Sequence, residues 1–317
     1  MSSMLVVGSV ALDTIHVPEG KFEYILGGSA TFASLTGAFF APVQLVGVVG
    51  EDFPEDHVRM FRDRSIDIEG LEIAKGKTFH WEGRYSSDLT HRDSLCTELN
   101  AFGQFHPKIP ERFRQTPYVM LGNIAPELQL EVLSQIRDPK LIVADTMNFW
   151  IEGKPAELRE VLSRTHVLVI NEEESRQLAG MHNIVQVAHE LLAMGPRIVI
   201  IKRGEYGALL FEEDHVFSAP AYPVREVRDP TGAGDSFAGA LLGYIAAKGN
   251  TRANTLRRAV IYGSALASYC VEGIGVDGLL SVTREGLDER FRAFERLAHF
   301  ATEEEVRDVA REERIAR

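Results

Sequence analysis

The stretch from residue 141 to 202 reads LIVADTMNFWIEGKPAELREVLSRTHVLVINEEESRQLAGMHNIVQVAHELLAMGPRIVIIK. Three short runs rich in Val, Ile and Leu predict buried strands at Leu141–Asp145, Val167–Asn171 and Arg197–Lys202. Between them, Pro155–Ser163 and Ile184–Met194 carry apolar residues at helical spacing. Because repeated strand and helix units favour parallel pairing, this stretch predicts an α/β fold with a largely parallel central sheet flanked by helices.

The same alternation extends toward the N-terminus. Further apolar runs predict buried strands at Leu5–Gly8, Val43–Val49 and Tyr118–Gly122. Amphipathic stretches at Glu55–Ser65 and Pro126–Ile136 predict the helices that separate them. The sequence has neither an internal repeat nor a low-complexity linker, so we expect a single domain over residues 1–317.

Two segments break this alternation. Residues from about 11 to 25 and from 75 to 103 alternate polar with apolar residues and lack helical periodicity. They predict a small lid of exposed antiparallel strands over one end of the core. The last third of the chain has a helical pattern, at Gly234–Ala247, at Thr255–Val271 and in a charged stretch from Glu285 onward.

Composition excludes several classes of protein. Apolar residues make up 45% and charged residues 25% of the chain, which is typical of a globular protein. A net charge of -12 without a basic stripe argues against a nucleic-acid partner. Cys96 and Cys270 are too few and too far apart to indicate a zinc site or a disulfide framework. We expect no membrane association and a cytoplasmic location, because no apolar run reaches about 18 residues.

The run DPTGAGD at residues 229–235 carries groups that phosphoryl transfer requires. Gly232 and Gly234 precede a predicted helix, so free backbone N–H groups can converge there on an anion. Asp235 lies in the first turn, where it can accept a proton from an incoming hydroxyl. The positive end of the helix should lower the pKa of Asp235, leaving a weak base. Such a turn also occurs without any ligand, so the motif alone leaves a structural role open.

Two longer stretches resemble the signatures of a known family. DPTGAGDSFAGALLGY (residues 229–244) resembles the C-terminal signature of the ribokinase-like, or PfkB, family of carbohydrate kinases. GGSATFASLTGAFFAPVQLVGVVGEDF (residues 27–53) resembles its N-terminal signature. The resemblance implies a ribokinase-like fold with a β-strand lid. It also implies an ATP-dependent, Mg2+-requiring kinase that transfers the γ-phosphoryl group to a hydroxyl of a sugar or sugar-like small molecule.

The resemblance assigns roles on the nucleotide side of the site. Asp235 would be the general base, beside an anion hole formed by the backbone of Gly232, Ala233 and Gly234. Asn171 and Glu174 in NEEE match the NxxE motif of the family and would order Mg2+ through water. The residues beside the nucleotide would be Lys202, Gly204 and Ser264. Without the resemblance, adjacent acids at a strand end indicate a solvated helix start, and a lysine at a strand end is more often a surface residue.

Other matches lie on the acceptor side. Asp13 matches the residue that grips substrate hydroxyls, and Gly27 and Gly28 match the diglycine that lets the chain approach the substrate. Phe32 and Asn148 are further candidates for contact with the acceptor. By the same resemblance, a monovalent cation such as K+ would bind near Asp229, Thr231 and Gly275.

The identity of the acceptor stays open. Ribokinase has GGKGAN where this chain has GGSATF at residues 27–32, which argues against ribose. Aromatic residues cluster where a lid and an acceptor pocket should lie: Phe32, Phe79, Trp81, Tyr85, Phe149 and Trp150. They can stack on a nucleobase or a sugar, or simply join the lid to the core. A nucleoside kinase of the same fold is therefore an alternative, and a non-catalytic sugar- or nucleotide-binding regulatory protein is an alternative of another class.

Two further motif matches fail on their context. GIGVDG at Gly273–Gly278 fits a dinucleotide fingerprint but follows a predicted helix instead of a strand. GLEIAKGKT at Gly70–Thr78 has one residue too many for a P-loop. We expect neither to bind a nucleotide. A last expectation is a homodimer formed through the lid, because a small exposed sheet has apolar edges to cover.

Overall fold

The computed structural model describes residues 2–213 and 215–298. Its strands are β1 (Met4–Val7), β2 (Ala11–Val17), β3 (Gly20–Gly27), β4 (Val43–Gly50), β5 (Ile66–Ala74), β6 (His80–Tyr85), β7 (Arg92–Glu98), β8 (Tyr118–Leu121), β9 (Leu141–Ala144), β10 (Val167–Asn171), β11 (Ile198–Lys202), β12 (Ala208–Glu212) and β13 (His215–Ala219). Its α-helices are α1 (Ser29–Gly37), α2 (Glu55–Asp63), α3 (Pro126–Gln135), α4 (Asn148–Gly153), α5 (Pro155–Ser163), α6 (Glu172–Ala179), α7 (Ile184–Ala193), α8 (Ala233–Lys248), α9 (Ala253–Val271), α10 (Asp277–Leu280) and α11 (Arg284–Ala298).

The large sheet has nine strands in the order β13-β12-β11-β10-β9-β8-β1-β4-β5. All pairs from β11 to β5 are parallel, and β12 and β13 extend the sheet in antiparallel fashion. The predicted strands are found within one or two residues of their expected ends, which confirms the fold class. The prediction succeeds because strands that are covered on both faces must be continuously apolar.

Helices cover both faces of this sheet. Successive residues of β1 alternate between two core clusters: Met4 and Val6 pack with α1, α8 and α9, while Leu5 and Val7 pack with α3 and α5. Helix α8 is buried around its whole circumference from Ser236 to Ala246. Because α1 is also buried at every position, it has no apolar stripe, and the sequence pattern did not predict it.

The lid is a separate four-stranded sheet in the order β3-β2-β6-β7. Its strands lie in the two predicted segments, except that β3 extends two residues past residue 25 to Gly27. The pairs β2–β3 and β6–β7 are antiparallel as expected, but β2 and β6 run parallel. Beneath the lid, Ile15 and Val17 of β2 form a small apolar cluster with Ile274 of the core.

Further predictions from the sequence concern the two rejected motifs, the C-terminal helix and the domain organisation. The two rejected motifs lie outside any turn from a strand into a helix: Gly273–Gly278 follows α9, and Gly70–Thr78 runs from within β5 toward β6. The charged C-terminal stretch is helical from Arg284 to Ala298, and residues 299–317 lie outside the described residues. The single-domain assignment over the whole chain stays a prediction. Within the described ranges, none of the helices is both long and apolar enough to span a bilayer.

Candidate active site

Polar side chains gather at the carboxyl edge of the central sheet. Asp145 directly follows β9, Asn171 ends β10 and Lys202 ends β11. Asn171 and Lys202 are partners in the parallel register, so their side chains emerge at the same level. The first turn of α8, with Asp235, lies against this edge. Three neighbouring parallel strands thus deliver one cluster, as expected where the strands of an open α/β sheet end.

Asp235 lies deep in this cluster. Its Oδ1 atom is inaccessible to solvent and has no hydrogen-bond partner among the described residues, although the residue as a whole is partly exposed. Burial, followed by repulsion from the Asp145 carboxylate, raises the pKa of Asp235 to about 7. The expectation of a lowered pKa is therefore wrong, because burial and the carboxylates of Asp145 and Glu174 outweigh the positive charges of Lys202 and Arg92. A base with this pKa is well matched to neutral pH.

The anion-hole loop precedes Asp235. Gly232 adopts φ 75°, and a Cβ at this position would overlap the ring of Phe32. No acceptor within residues 2–213 and 215–298 takes the backbone N–H of Gly234 or Asp235. These two groups are therefore free to bind an anion. Phe32 is only 1% exposed, so it supports the loop from below and has almost no surface left for an acceptor. Its predicted place on the pocket wall is corrected accordingly.

Lys202 points into the cluster and is not a surface residue. Its side chain is 17% exposed, and Nζ lies 3.7 Å from Asp145 Oδ2. A Cβ added to Gly234 would lie 2.6 Å from the same Nζ, so the ammonium group lies directly beside the anion-hole loop. Burial opposes the charge, but the carboxylates of Asp145, Glu174 and Asp235 together raise the pKa of Lys202. Lys202 is a fixed positive charge at the site.

Asn171 and Glu174 form a capping box at the start of α6. Asn171 Oδ1 accepts from the Glu174 backbone N–H at 2.8 Å, and Glu174 Oε2 accepts from the Asn171 N–H at 3.3 Å. Burial and the neighbouring Asp145 raise the pKa of Glu174 to about 7. The NxxE motif therefore has a structural function in the ligand-free protein. Its predicted role toward Mg2+ would be additional.

Asp13 and the diglycine, which are predicted to contact the acceptor, pack against each other. Asp13 is 4% exposed, and its Oδ1 has no partner among the described residues. Burial and repulsion from Asp229 raise the pKa of Asp13 to about 8. A Cβ at Gly27 would overlap Asp13 Oδ2, and one at Gly28 would lie 2.5 Å from the backbone oxygen of Ser9. Only glycine fits at these two positions.

The lid reaches the anion-hole loop. The hydroxyl of Tyr85 on β6 lies 2.9 Å from Thr231 Oγ1 and forms a hydrogen bond with it.

Arg92 on β7 pairs with Tyr85 in the lid register and places its guanidinium 5.3 Å from the centroid of the Trp81 ring. Its positive charge acts to lower the pKa values of Asp13, Glu174 and Asp235, although burial dominates in all three. Sequence reasoning missed Arg92, because nothing in an exposed strand indicates which arginine faces a site.

Asp229 joins two loops. Its Oδ1 accepts from the Thr231 backbone N–H at 2.9 Å, and its Oδ2 accepts from the Gly275 N–H at 2.8 Å. The three residues predicted to bind a monovalent cation are thus brought together, but as a hydrogen-bonded unit. Within the described part of the chain, no cluster of three or more His, Cys, Asp or Glu side chains is close enough to hold a metal ion by itself.

The remaining predicted residues lie toward the rim. Asn148 is exposed at the start of α4, Gly204 is exposed in a single helical turn after β11, and Ser264 is half-buried on α9. Asp145 and Asn123 were missed. Each directly follows, or nearly follows, a buried strand, and a polar residue at the carboxyl end of a parallel strand is the signal that could have identified them.

Comparison with known proteins agrees with this geometry. The profile of the pfkB family of carbohydrate kinases matches residues 1–281. A cytidine kinase from Thermococcus kodakarensis is 32% identical over 251 residues, covering 76% of this chain and 88% of the relative. A nucleoside kinase from Methanothermobacter thermautotrophicus is 37% identical over 307 residues, covering 92% of this chain and 96% of the relative.

A solved structure has the same fold. A candidate ribokinase II from E. coli, in complex with ATP and Mg2+, superposes with a TM-score of 0.75 at 20% identity and covers 93% of this chain and 99% of that one. The family match extends from β1 to the end of α10 and so includes the whole cluster around Asp235. The chain therefore belongs to the pfkB family of carbohydrate kinases, phosphotransferases whose acceptor is a hydroxyl group.

Proposed function

We propose that this chain is an ATP-dependent nucleoside kinase that phosphorylates a hydroxyl of the ribose unit. The observation that carries the proposal is the meeting of an unpartnered carboxylate oxygen, Asp235 Oδ1, with two free N–H groups at the start of α8. Phosphoryl transfer needs this combination of a base and an anion-binding loop. Nucleosides are favoured as acceptors because the two relatives described above are a cytidine kinase and a nucleoside kinase.

Each polar group has a role in the proposed reaction. Asp235 accepts the hydroxyl proton while the acceptor oxygen bonds to the γ-phosphorus and the bond to the bridging oxygen of the departing ADP breaks. The N–H groups of Gly234 and Asp235, with the Lys202 ammonium, face the negative charge of the phosphoryl oxygens. Asp13, whose pKa is about 8, is protonated near pH 7 in the ligand-free protein and can donate its O–H to an acceptor oxygen.

The residues present fit Mg2+ together with the nucleotide. Asp145 and Glu174 offer carboxylate oxygens beside Lys202, and oxygen is the ligand that Mg2+ prefers. Mg2+ commonly binds through one or two carboxylates, several waters and the phosphates of the substrate, so a three-residue protein cluster is not required. When bound, Mg2+ would neutralise negative charge on the phosphates. Glu174, with Asn171 fixing the helix start, would hold it through water.

A direct assay tests the proposal. Purified protein is incubated with ATP, Mg2+ and a panel of nucleosides, pentoses, hexoses and polyols, and ADP release is measured. We expect turnover with at least one nucleoside and a fall of about a thousandfold in kcat/KM for Asp235→Asn. Asp63→Asn, on the exposed end of α2, is the matched control. Turnover with sugars alone would show that the acceptor is a sugar and not a nucleoside. Full activity of Asp235→Asn would show that Asp235 is not the general base.

Two alternatives have defined outcomes in the same assay. A sugar kinase would turn over a pentose, hexose or polyol and none of the nucleosides. A non-catalytic regulatory protein would bind ATP or an acceptor without ADP release above background. The raised pKa of Asp235 supports catalysis, because strongly perturbed pKa values cluster at catalytic sites.

The proposal extends to a monovalent cation near Asp229, Thr231 and Gly275. Its support is a fully buried carboxylate, Asp229, whose pKa is raised by burial and which is held beside two loops at the edge of the site. Replacing Na+ by K+ at constant ionic strength should raise kcat/KM. Equal rates in the two salts would remove K+ from the proposal.

The proposal also includes a homodimer through the lid. Strands β3 and β7 are the edges of the lid sheet, and Tyr24 on β3 and Leu95 on β7 are exposed there. Exposed edges with large apolar side chains favour pairing with a second chain. Light scattering coupled to gel filtration should give twice the 35.3 kDa mass of the chain, and Tyr24→Lys should shift it toward the monomer.

A further inference from the structure

Asn123 lies just beyond the carboxyl end of β8, next to the acceptor side of the site. The preceding residue, Gly122, packs so closely on the start of α1 that a Cβ there would lie 2.8 Å from Ser29 Oγ. Ser29 directly follows the diglycine at Gly27 and Gly28. Asn123 therefore stands between the residues proposed to hold the acceptor and the strand that leads to Asp145.

The buried side-chain amide of Gln129 holds the ends of β8 and β9 together near Asn123. Gln129 of α3 is 1% exposed, and its Nε2 donates to the backbone oxygens of Gly122 at 2.9 Å and Asp145 at 3.2 Å. A buried side chain satisfied by two strand ends restrains both. Asn123 and the turn after Asp145 consequently form a rigid wall beside the site.

The amide of Asn123 has a defined orientation. Trp150 Nε1 donates to Asn123 Oδ1 at 2.8 Å, and an indole N–H can only donate, so it fixes which end of the amide is oxygen. Asn123 Nδ2 points the other way and lies 3.1 Å from Met147 Sδ. A thioether is a weak acceptor. A stronger acceptor on a ligand would therefore displace it and take the N–H of Asn123.

The surroundings of this amide are apolar. Phe149 is 63% exposed and packs edge-on against Trp150, with ring centroids 4.8 Å apart. Met147 and Trp150 are half-buried beside it. An apolar wall with one oriented N–H donor suits a flat heteroaromatic ring, which offers an apolar face and carries ring nitrogens or carbonyl oxygens at its edge. A free sugar presents hydroxyl groups and lacks such a ring.

We propose that Asn123 determines specificity by donating its N–H to an acceptor atom on the edge of the nucleobase, and that Trp150 is a positioning residue that holds the amide in this orientation. The inference rests on the proposed nucleoside kinase function. It adds the place where the base binds and the group that recognises it.

The test uses Asn123→Leu, Trp150→Phe and the double variant, with cytidine, uridine, adenosine and inosine as probes. For the best of these substrates, Asn123→Leu should raise KM about ten- to a hundredfold and change kcat by less than about threefold, because a contact made equally in ground state and transition state affects binding only. Trp150→Phe should raise KM by a smaller factor. In the Asn123→Leu background, Trp150→Phe should have no further effect, since its role acts through the amide.

The possible results separate the proposed function, the role of Asn123 and the role of Trp150. If the wild-type protein phosphorylates no nucleoside, neither these four nor the others of the panel, the proposed function and this inference both fail. If it does, an unchanged KM in Asn123→Leu, or a loss confined to kcat, overturns the inference alone. An effect of Trp150→Phe that persists in the Asn123→Leu background would make Trp150 a packing residue and overturn its positioning role. Thermal melting verifies that each variant is folded, and Asn123→Ala replaces Asn123→Leu if the latter is not.

Discussion

The central sheet and the edge strands of the lid differ in burial. Every residue of β1, β8 and β9 is buried, as are six of the seven residues of β2 inside the lid, whereas β3 has only its last two residues buried and β7 has none. The lid is held instead by a few contacts, among them the Ile15 cluster, the Tyr85 hydrogen bond and an ion pair between Arg228 and Glu19. Changes in the core should therefore act on folding, and changes at the edges of the lid on substrate binding first.

The largest effect is expected where two core helices touch. Gly239 of α8 packs on α1 so closely that a Cβ would overlap the backbone oxygen of Ala33. Gly239→Val should therefore cost about 3 kcal/mol or more of unfolding free energy, measured by urea denaturation. Gly153→Ala is the control, since a Cβ there meets nothing within 4 Å. Equal midpoints for the two variants would contradict the picture of a core without spare room.

The second effect concerns Asp13, at the boundary of lid and core. Because the pKa of Asp13 is raised to about 8 in the folded state from 3.8, the folded protein holds a proton that the unfolded chain releases between these values. Its contribution to stability is full below about pH 4 and is lost as the pH rises to about 8. The amide side chain introduced by Asp13→Asn does not ionise, so the variant does not lose stability in this way. The unfolding free energy of the variant minus that of the wild type should therefore rise by up to about 1.4 kcal/mol per pH unit between pH 5 and 7.

Denaturation curves of both proteins at pH 5, 6 and 7 measure that gain directly. A stability difference that stays constant over this range would mean that Asp13 ionises at its ordinary pKa. Glu174 titrates in both proteins and so cancels in the difference.

A smaller effect on stability is expected inside the lid. A Cβ at Gly83 would overlap the indole ring of Trp81, so Gly83→Ala must displace that ring and the guanidinium of Arg92 stacked on it. We expect the unfolding free energy to fall by only about 1 kcal/mol, since Trp81 is only partly buried and Arg92 is exposed, while KM for the acceptor rises severalfold. A stability loss as large as that of Gly239→Val would erase the distinction between lid and core.

The smallest effect is expected at the partly exposed ion pair. Arg228 donates two hydrogen bonds to Glu19 in the lid hairpin, at 2.8 and 2.6 Å. Exposed pairs contribute little to stability and are screened by salt. Glu19→Gln should leave the melting temperature unchanged and raise KM for the acceptor slightly at low salt, with no difference from wild type at high salt. A clear drop in melting temperature would show that the lid supports the fold.

The same comparison explains what could be predicted from the sequence. Strands of the central sheet could be located because burial on both faces leaves a continuous apolar signal. The lid segments could be located too, but alternation reveals which face of a strand is buried and not which strand is its neighbour. The parallel pairing of β2 with β6 therefore could not be predicted from the alternation of polar and apolar residues. Helix α1 was missed for a related reason, since burial on all sides removes its periodicity.

Within the site, motifs identified residues better than they identified environments. Asp235, Lys202 and Glu174 meet in space as the family resemblance implies, but the direction of the pKa shift of Asp235 came out opposite to expectation. Burial and charge repulsion both depend on side chains brought from elsewhere in the chain, with Asp145 as the strongest repelling charge, and the local sequence around Asp235 does not show them. Phe32 shows the same limit, because an aromatic residue beside a diglycine is equally suited to a pocket wall and to the support of a loop.

The hydrogen bond between Asp229 and Gly275 has a consequence for how the two substrates affect each other's binding. Asp229 also binds the N–H of Thr231, whose hydroxyl meets Tyr85 of the lid, so the anion-hole loop and the lid share one small support. An acceptor that holds the lid down would restrain the loop that receives the phosphates. Binding energies are reciprocal, so the nucleotide must in turn tighten the acceptor. We therefore expect the two substrates to bind with positive cooperativity.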